Sequence, residues 1–333
     1  MKKIIDKDIH WGVLGVGNVC EVKSAPAMNL IPNSRLVAVM RRSEEKVRDY
    51  AERHQVPKWY TSAEELVNDP EVNAVYIATP PNAHLELTKL AAKAGKPVYV
   101  EKPMARTFAE CQEMIAVCED VGVRLYVAYY RRALPHFLKI KELIKEGELG
   151  EIRTVHIDLK QVLIPELVAK IDNNWRVDPE IAGGGFFFDL ASHQLDLLDF
   201  FFGPIAKAQG FATNQAKAYE AEDIVCGSFV FESGVVGTGN WCFTTSKVSE
   251  IDKITIYGSK GKISFETFGK GEFVLERDNH ETMYYQVDLP HHIQQPLIKT
   301  VVDDLLGLGE CPSTGISGAR TNWVMDRLVG KGF

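Results

Sequence analysis

The spacing of apolar residues changes character partway along the chain. Residues 9–128 alternate short apolar runs with stretches of helical period. The runs at 9–14, 36–40, 74–78, 98–100 and 124–128 are continuous rather than alternating. Strands covered on both faces read this way, so the pattern predicts a parallel sheet with helical crossovers. Ser62-x-x-Glu65 and Thr107-x-x-Glu110 have capping-box spacing and mark two helix starts.

Beyond residue 128 the texture differs. A helix is predicted over 136–146, closed by Gly147 and Gly150. Longer β-type runs follow at 152–161, 206–213, 224–231, 235–243, 253–257 and 262–265. Glu232-Ser233-Gly234 and Ser259-Lys260-Gly261 read as hairpin turns, which implies a largely antiparallel sheet. A helix near 186–202 is expected on one face of it. A last helix near 317–329 is expected to pack back on the first domain. The fold class is α/β, with domains at 1–127 and 128–333.

Length and charge agree with that division. The chain has 333 residues, enough for two domains. Residues 1–125 carry 17 basic and 17 acidic side chains, whereas 126–333 carry 21 and 28, so the whole net charge of −7 lies in the second part. The acidic balance argues against a nucleic-acid partner. The opening residues lack the apolar core of an export signal. Asp189, His193, Asp196 and Asp199 interrupt the most apolar stretch, so no membrane span is expected. The six cysteines form no C-x-x-C pair, which predicts reduced thiols, a cytoplasmic location and no metal site.

Candidate chemistry begins directly after the first apolar run. Gly15-Val16-Gly17-Asn18-Val19-Cys20 is a G-x-G-x-x-C turn, with Cys20 in the place of a third glycine. Between a strand and a helix, such a turn brings backbone N–H groups to a pyrophosphate and adds the charge of the helix N-terminus. Gly15, Gly17, Asn18 and Val19 are therefore dinucleotide-binding candidates. The second strand ends in Arg41-Arg42-Ser43 with no acid at its tip. Two guanidiniums suit a ribose 2′-phosphate, so NADP is the expected cofactor. The alternative is NAD, with Glu44 or Glu45 reaching the ribose.

Three further motifs extend the pattern. They are Ala78-Thr79-Pro80-Pro81-Asn82-Ala83-His84, Glu101-Lys102-Pro103, and Gly183-Gly184-Gly185-x3-Asp189-x3-His193. With the glycine turn, in this order and spacing, the chain closely resembles the glucose–fructose oxidoreductase / inositol dehydrogenase / MocA-like (Gfo/Idh/MocA) family over nearly its whole length. The resemblance implies an N-terminal Rossmann parallel sheet and a C-terminal α+β domain with an open, mainly antiparallel sheet. It implies an NAD(P)-dependent dehydrogenase or reductase acting on a sugar, polyol or diol. It also implies a homodimer or homotetramer through the outer face of the second sheet.

Residue roles follow from the resemblance. Taken alone, Lys102 reads as a surface lysine at a strand end. In the matching motif it touches the reacting oxygen and the nicotinamide ribose, where its charge stabilises a developing alkoxide. Pro103 fixes the loop, through a peptide bond expected to be cis, and Glu101 braces it on the cofactor side. Asp189 and His193, four apart on a predicted helix, share a face. His193 serves as general acid–base; Asp189 orients the imidazole or holds a substrate hydroxyl. Without the resemblance the pair is a polar stripe on an exposed helix, extended by Asp196.

Thr79, Pro80, Asn82 and His84 are expected on the nicotinamide side, with Asn82 also suited to capping a helix and His84 to a structural role or a ribose contact. Trp175 and Arg176 either close over cofactor or substrate, or pack. Tyr130 stands where relatives often carry an amide, which makes it a substrate-facing candidate. Arg131 is the expected cofactor contact, and Arg132 reads as solvated. His291-His292 reads as a loop feature. Two other functions fit the scaffold: a non-catalytic NAD(P) sensor or regulator, and an NAD-dependent glycosidase.

Overall fold

The computed structural model describes residues 8–168 and 174–331. They form two compact units. One comprises the chain up to Tyr130 together with Pro290–Ala319, and the other Arg131–Leu289 together with the chain from Arg320 onward.

The first unit runs β1 (Ile9–Leu14), α1 (Asn18–Val22), α2 (Ala25–Met28), β2 (Ser34–Met40), α3 (Glu44–Arg53), β3 (Lys58–Tyr60), α4 (Ala63–Asn68), β4 (Ala74–Ile77), α5 (His84–Lys93), β5 (Val98–Val100), α6 (Phe108–Val121) and β6 (Leu125–Val127). The strands are parallel, in the order β3-β2-β1-β4-β5-β6. Val13, Val39, Ile77, Val100 and Val127 are fully buried, as their unbroken apolar runs require. The order reverses between β1 and β4, which opens a crevice at the carboxyl ends of these strands. Ser62 and Thr107 cap α4 and α6 by accepting from the backbone N–H of Glu65 and Glu110. β3 (Lys-Trp-Tyr) lies at the sheet edge with none of its residues buried, so it lacks the continuous apolar run of the other strands.

The glycine turn is followed by two short helices rather than one. Pro26 sits in the first turn of α2 and has no N–H for the carbonyl four residues back, that of Val22. His292 fills the gap, with its Nδ1 2.6 Å from the Val22 oxygen. Gln294 then donates its backbone N–H to the Lys23 carbonyl at 3.2 Å. His292 thus completes a broken helix joint.

The second unit runs α7 (Pro135–Lys145), β7 (Ile152–Lys160), α8 (Pro179–Ala182), α9 (Ser192–Phe202), β8 (Ile205–Thr213), β9 (Ile224–Phe231), β10 (Val236–Cys242), β11 (Ile251–Gly258), β12 (Gly261–Phe265), β13 (Glu272–Arg277) and β14 (Met283–Gln286). Its sheet has the order β14-β13-β12-β11-β7-β10-β9-β8, antiparallel throughout except where β7 meets β10. One face is dry: Val155, Ile157, Leu159, Phe229, Trp241, Ile254 and Ile256 are buried there. Gly237 and Gly239 lie beneath the rings of Phe229 and Trp241, where a Cβ would stand 2.0 Å from a ring atom. The helix expected over 186–202 begins instead as a π-turn, Phe187–Ala191, that continues into α9. Strand β13 is short and flanked by charges, β14 is a four-residue Met-Tyr-Tyr-Gln run, and neither carries a clear alternation in sequence.

Two further helices close the chain, α10 (Gln295–Leu306) and α11 (Gly315–Leu328). Within the first unit, Gly315 and Gly318 let α11 approach Leu125 and Val127, and the Ser313 hydroxyl donates to the Val127 carbonyl at 2.6 Å. Within the second, Leu328 packs against Gly210 and Gly227.

Candidate active site

At the switch point, Gly15 has φ +91°, and a Cβ there would lie 2.5 Å from Thr79 Cγ2. Only glycine lets the end of β1 turn this closely under the end of β4. At Gly17 the nearest atom to a built Cβ is the Gly15 carbonyl oxygen, 3.9 Å away. The turn is therefore tight on the protein side and open on the other, as a pyrophosphate cradle must be. Cys20 is fully buried, and the Tyr50 hydroxyl donates to its carbonyl at 2.7 Å. Its thiol, pushed up to about 12 by burial, packs as a small apolar group. Asn18 is exposed at the start of α1, and the Val19 carbonyl accepts from Lys23 N and Ser24 Oγ.

Arg41 reaches back from the end of β2 to this turn. Its Nη1 donates to the Val16 carbonyl at 3.2 Å. Arg42 is exposed and, among the described residues, makes no ion pair. Ser43 caps α3, accepting from Lys46 N at 3.4 Å.

The Thr79–His84 turn and the Glu-Lys-Pro loop are stapled together by His84. It is fully buried, with Nε2 2.8 Å from the Thr79 carbonyl and Nδ1 3.1 Å from that of Met104. Burial lowers its pKa. Both ring nitrogens face backbone carbonyls, so His84 braces the two loops. Asn82 is exposed and caps nothing; a 3-10 turn, Pro81–Ala83, leads into α5 behind Pro80.

Glu101 is likewise a brace, buried and bonded to three neighbours. Its Oε1 accepts from Tyr76 Oη at 2.5 Å and Gln294 Nε2 at 2.8 Å, and its Oε2 from Lys102 N at 3.2 Å. Gln294 Oε1 in turn accepts from Tyr99 Oη at 3.1 Å. These bonds fix the backbone from which the half-buried Lys102 projects, just before a cis Lys102–Pro103 bond. No sequence signal singled out Gln294. It lies 193 residues beyond Glu101.

In the second unit the glycine run is shaped by contact. Gly183 ends α8 with φ +85°. A Cβ on Gly184 would lie 2.2 Å from the Phe188 ring, and one on Gly185 2.7 Å from the Glu222 carbonyl oxygen. The Gly185 N–H donates to the Glu222 carboxyl at 2.8 Å, and burial raises that carboxyl's pKa. Asp189 lies in the π-turn and pairs with Arg176 at 3.1 Å. The Arg176 guanidinium stacks on Trp175, 4.5 Å from the ring centroid. Trp175 and Arg176 thus meet Asp189 as one cluster.

His193 is buried, with its ring edge-on to Phe268 at 6.0 Å. Arg131 belongs to the same unit. Its Nε donates to the Thr267 carbonyl at 2.9 Å, and its guanidinium lies 4.6 Å from the Phe268 centroid. Tyr130 is buried at the end of the first unit. Gln194 accepts from the Trp241 indole at 2.7 Å and donates to Asp252 at 3.2 Å. Burial pushes the Asp252 carboxyl up to about 6.

Arg132 is buried, not solvated. It forks onto Asp196 at 2.7 and 2.8 Å and reaches Asp199 at 2.9 Å, while Arg320 holds Asp199 from another side at 2.7 Å. Burial pushes Asp196 up to about 6 against the pull of Arg132. Asp196 therefore belongs to an interior charge network rather than an exposed stripe.

Among the described residues, no helix is long and apolar enough to cross a membrane, and no group of three or more His, Cys, Asp or Glu is placed to hold a metal. Among the described residues no disulfide joins the cysteines.

Comparison with known proteins agrees with this architecture. Residues 9–129 match the oxidoreductase family's NAD-binding Rossmann fold, and residues 137–264 its GFO/IDH/MocA C-terminal domain. The chain is 39% identical over 326 residues to the oxidoreductase P35 of Formosa agariphila, covering 98% of this chain and 100% of that protein. It is 31% identical over 256 residues to the 1,5-anhydro-D-fructose reductase of Ensifer adhaerens, covering 76% and 74%. The aldose–aldose oxidoreductase of Caulobacter crescentus, solved with glycerol, shares the fold with a TM-score of 0.84 over 96% of each chain, at 24% identity. The chain belongs to the Gfo/Idh/MocA family and is an NAD-binding oxidoreductase of the dehydrogenase or reductase kind.

Proposed function

We propose that the protein transfers hydride between a nicotinamide cofactor, NADP(H) in preference to NAD(H), and a carbon bearing a hydroxyl or carbonyl in a sugar, polyol or diol. One observation carries this reading. Gly15, Thr79 and Lys102 follow the carboxyl ends of β1, β4 and β5, strands that neighbour one another at the switch point. Ligands of open α/β sheets bind at that edge. The preference for NADP(H) is supported by Arg41, which leans on the Val16 carbonyl, and by the exposed Arg42 beside it. Relatives support the substrate class, one being a 1,5-anhydro-D-fructose reductase.

When bound, the nicotinamide gives or takes the hydride at its C4. The turn from Gly15 to Val19 would cradle the pyrophosphate, and Arg41, Arg42 and Ser43 the 2′-phosphate. Thr79, Pro80 and Asn82 line the nicotinamide side. Lys102 donates a hydrogen bond to the reacting oxygen and stabilises it as an alkoxide. His193 takes the hydroxyl proton in oxidation and returns it in reduction. Asp189, steadied by Arg176 and Trp175, holds a neighbouring substrate hydroxyl, and Tyr130 shapes the substrate's fit.

The same reading includes a homo-oligomer through the outer face of the second sheet, where Phe211 is 80% and Tyr284 80% exposed. Light scattering on Phe211→Asp would show a smaller species. A cytoplasmic location belongs to this reading, since a diffusible nicotinamide is the co-substrate.

The test is nicotinamide absorbance with NADP⁺ and NAD⁺ against aldoses, inositols, polyols and diols. Turnover with NADP⁺ is expected, abolished in Lys102→Ala and in His193→Ala. Arg41→Ala with Arg42→Ala should weaken NADPH binding and leave NADH binding nearly unchanged. Faster turnover with NAD⁺ would overturn the cofactor preference. Binding of neither cofactor would overturn the whole reading.

A further inference from the structure

The loop after β12 is tied down far more firmly than a link between two antiparallel strands requires. Thr267 and Phe268 are anchored by three other segments of the second unit. Phe268 N donates to Asp252 Oδ2 at 2.6 Å. The Thr267 carbonyl accepts from Arg131 Nε at 2.9 Å, and its hydroxyl from Gln194 Nε2 at 3.3 Å. Gln194 also donates to Asp252 Oδ1, and its own carbonyl is fixed by Trp241. Thr267 is buried, yet the ring these bonds position, that of Phe268, is only half-buried. The Arg131 guanidinium lies over this ring, 4.6 Å from its centroid, and the His193 ring stands nearly perpendicular to it at 6.0 Å.

Removing the Asp252 carboxylate from water is costly, and what it returns is the placement of this short segment and of Gln194, which itself bonds Thr267. A hairpin connection elsewhere in the same sheet, Glu232-Ser233-Gly234, manages with backbone bonds alone. The extra anchoring makes sense if the position of the Phe268 ring matters to a ligand.

We infer that Phe268 is a specificity-determining residue: it presents an apolar wall beside His193 to the C–H face of a cyclic sugar or cyclic polyol. Asp252 and Gln194 are positioning residues that hold this wall. The inference rests on His193 serving the reaction as proposed above. A pyranose or cyclitol ring displays several C–H bonds on one face, and these suit the negative face of an aromatic ring. A flexible acyclic polyol offers no such fixed face.

The experiment compares kcat/KM for cyclic substrates (aldopyranoses, inositols, an anhydro sugar) with that for straight-chain alditols. Wild type is expected to prefer the cyclic set. Phe268→Leu keeps an apolar side chain but removes the aromatic face; with Phe268→Ala it should lower the cyclic values roughly tenfold, through KM, and spare the acyclic ones and the cofactor Kd. Asp252→Asn should show the same pattern more weakly, with an unchanged cofactor Kd. Equal losses in both sets, a loss confined to kcat, or a wild type without cyclic preference would each overturn the inference. His193→Ala run in parallel separates the two readings. Turnover surviving there overturns the acid–base role. Turnover abolished there, with the Phe268 ratio unchanged, overturns the specificity wall alone.

Discussion

In the first unit the cradle is held by its own backbone. Gly15 turns under Thr79, Thr79 and Met104 grip His84 by their carbonyls, and Ser43 caps the helix that starts beside it. In the second unit the residues around His193 are held by side chains whose partners lie from 16 to 136 residues away in the chain. Arg132 on Asp196, Gln194 on Asp252 and Arg131 on Thr267 are all of this kind. A site that must approach a cofactor backbone-first is built from turns, and turns depend on local residue types. A site that must present ionisable side chains out of water needs partners for each of them, and those come from wherever the fold brings them.

This contrast can be broken by experiment. The largest effect is expected from Arg132→Met, which strands the Asp196 carboxylate in the interior. Breaking such a pair costs about 3–5 kcal/mol, readable as a fall in the denaturation midpoint. A loss near that of an exposed residue would mean that the network is not what holds α9.

Gly15→Ala should cost about 1–2 kcal/mol for its left-handed φ, and more for the clash with Thr79, and should abolish cofactor binding. Gly17→Ala has room on the protein side and should fold normally while binding cofactor more weakly. Calorimetry beside cofactor titration separates the two glycines. Equal stability losses would show that the cradle is not open at Gly17.

Gln294→Leu should cost about 1–3 kcal/mol, because Glu101 and Tyr99 each lose a buried partner. It should also lower kcat, since Glu101 sets the backbone at Lys102. An unchanged kcat would leave Gln294 with a purely structural role.

The smallest effects are those of pH. Asp252 and Asp196 have pKa values raised from 3.8 to about 6. Their contribution to stability is full below the unfolded value and is lost as pH rises through about 6. Glu21, on the surface of the first unit, is held down at about 2 mainly by hydrogen bonds from Arg53. Its contribution is present above 4.5 and is lost as pH falls toward 2. Denaturation midpoints across this range should therefore depend on pH with opposite sign in Asp252→Asn and Glu21→Gln difference curves. Curves of the same sign would refute the burial of Asp252.

The motifs found from sequence were those whose physics is local. Continuous apolar runs marked five of the six parallel strands, and Ser62 and Thr107 marked helix starts that proved to be capped. The Glu-Lys-Pro loop was legible as a motif, but its brace was not. Nothing in a lone glutamine at 294, at the head of an unpredicted helix, shows that it meets Glu101. The π-turn at Phe187–Ala191 was equally hidden, because its residues have the composition of an ordinary buried helix. Arg132 reads from sequence as solvated for the same reason: a charged residue type says polar, and only a partner such as Asp196 can make it buried.

The sequence by itself determined the turns, the caps, the two-unit order of elements and the family. Each depends on residue types within a few positions of one another, where backbone geometry and local hydrogen bonding decide. Only the tertiary structure decided which charges are interior, which side chains brace Lys102, and what stands beside His193. Those outcomes depend on pairings across long stretches of chain, and hydrogen-bond partners so distant leave no periodic trace in the sequence they join.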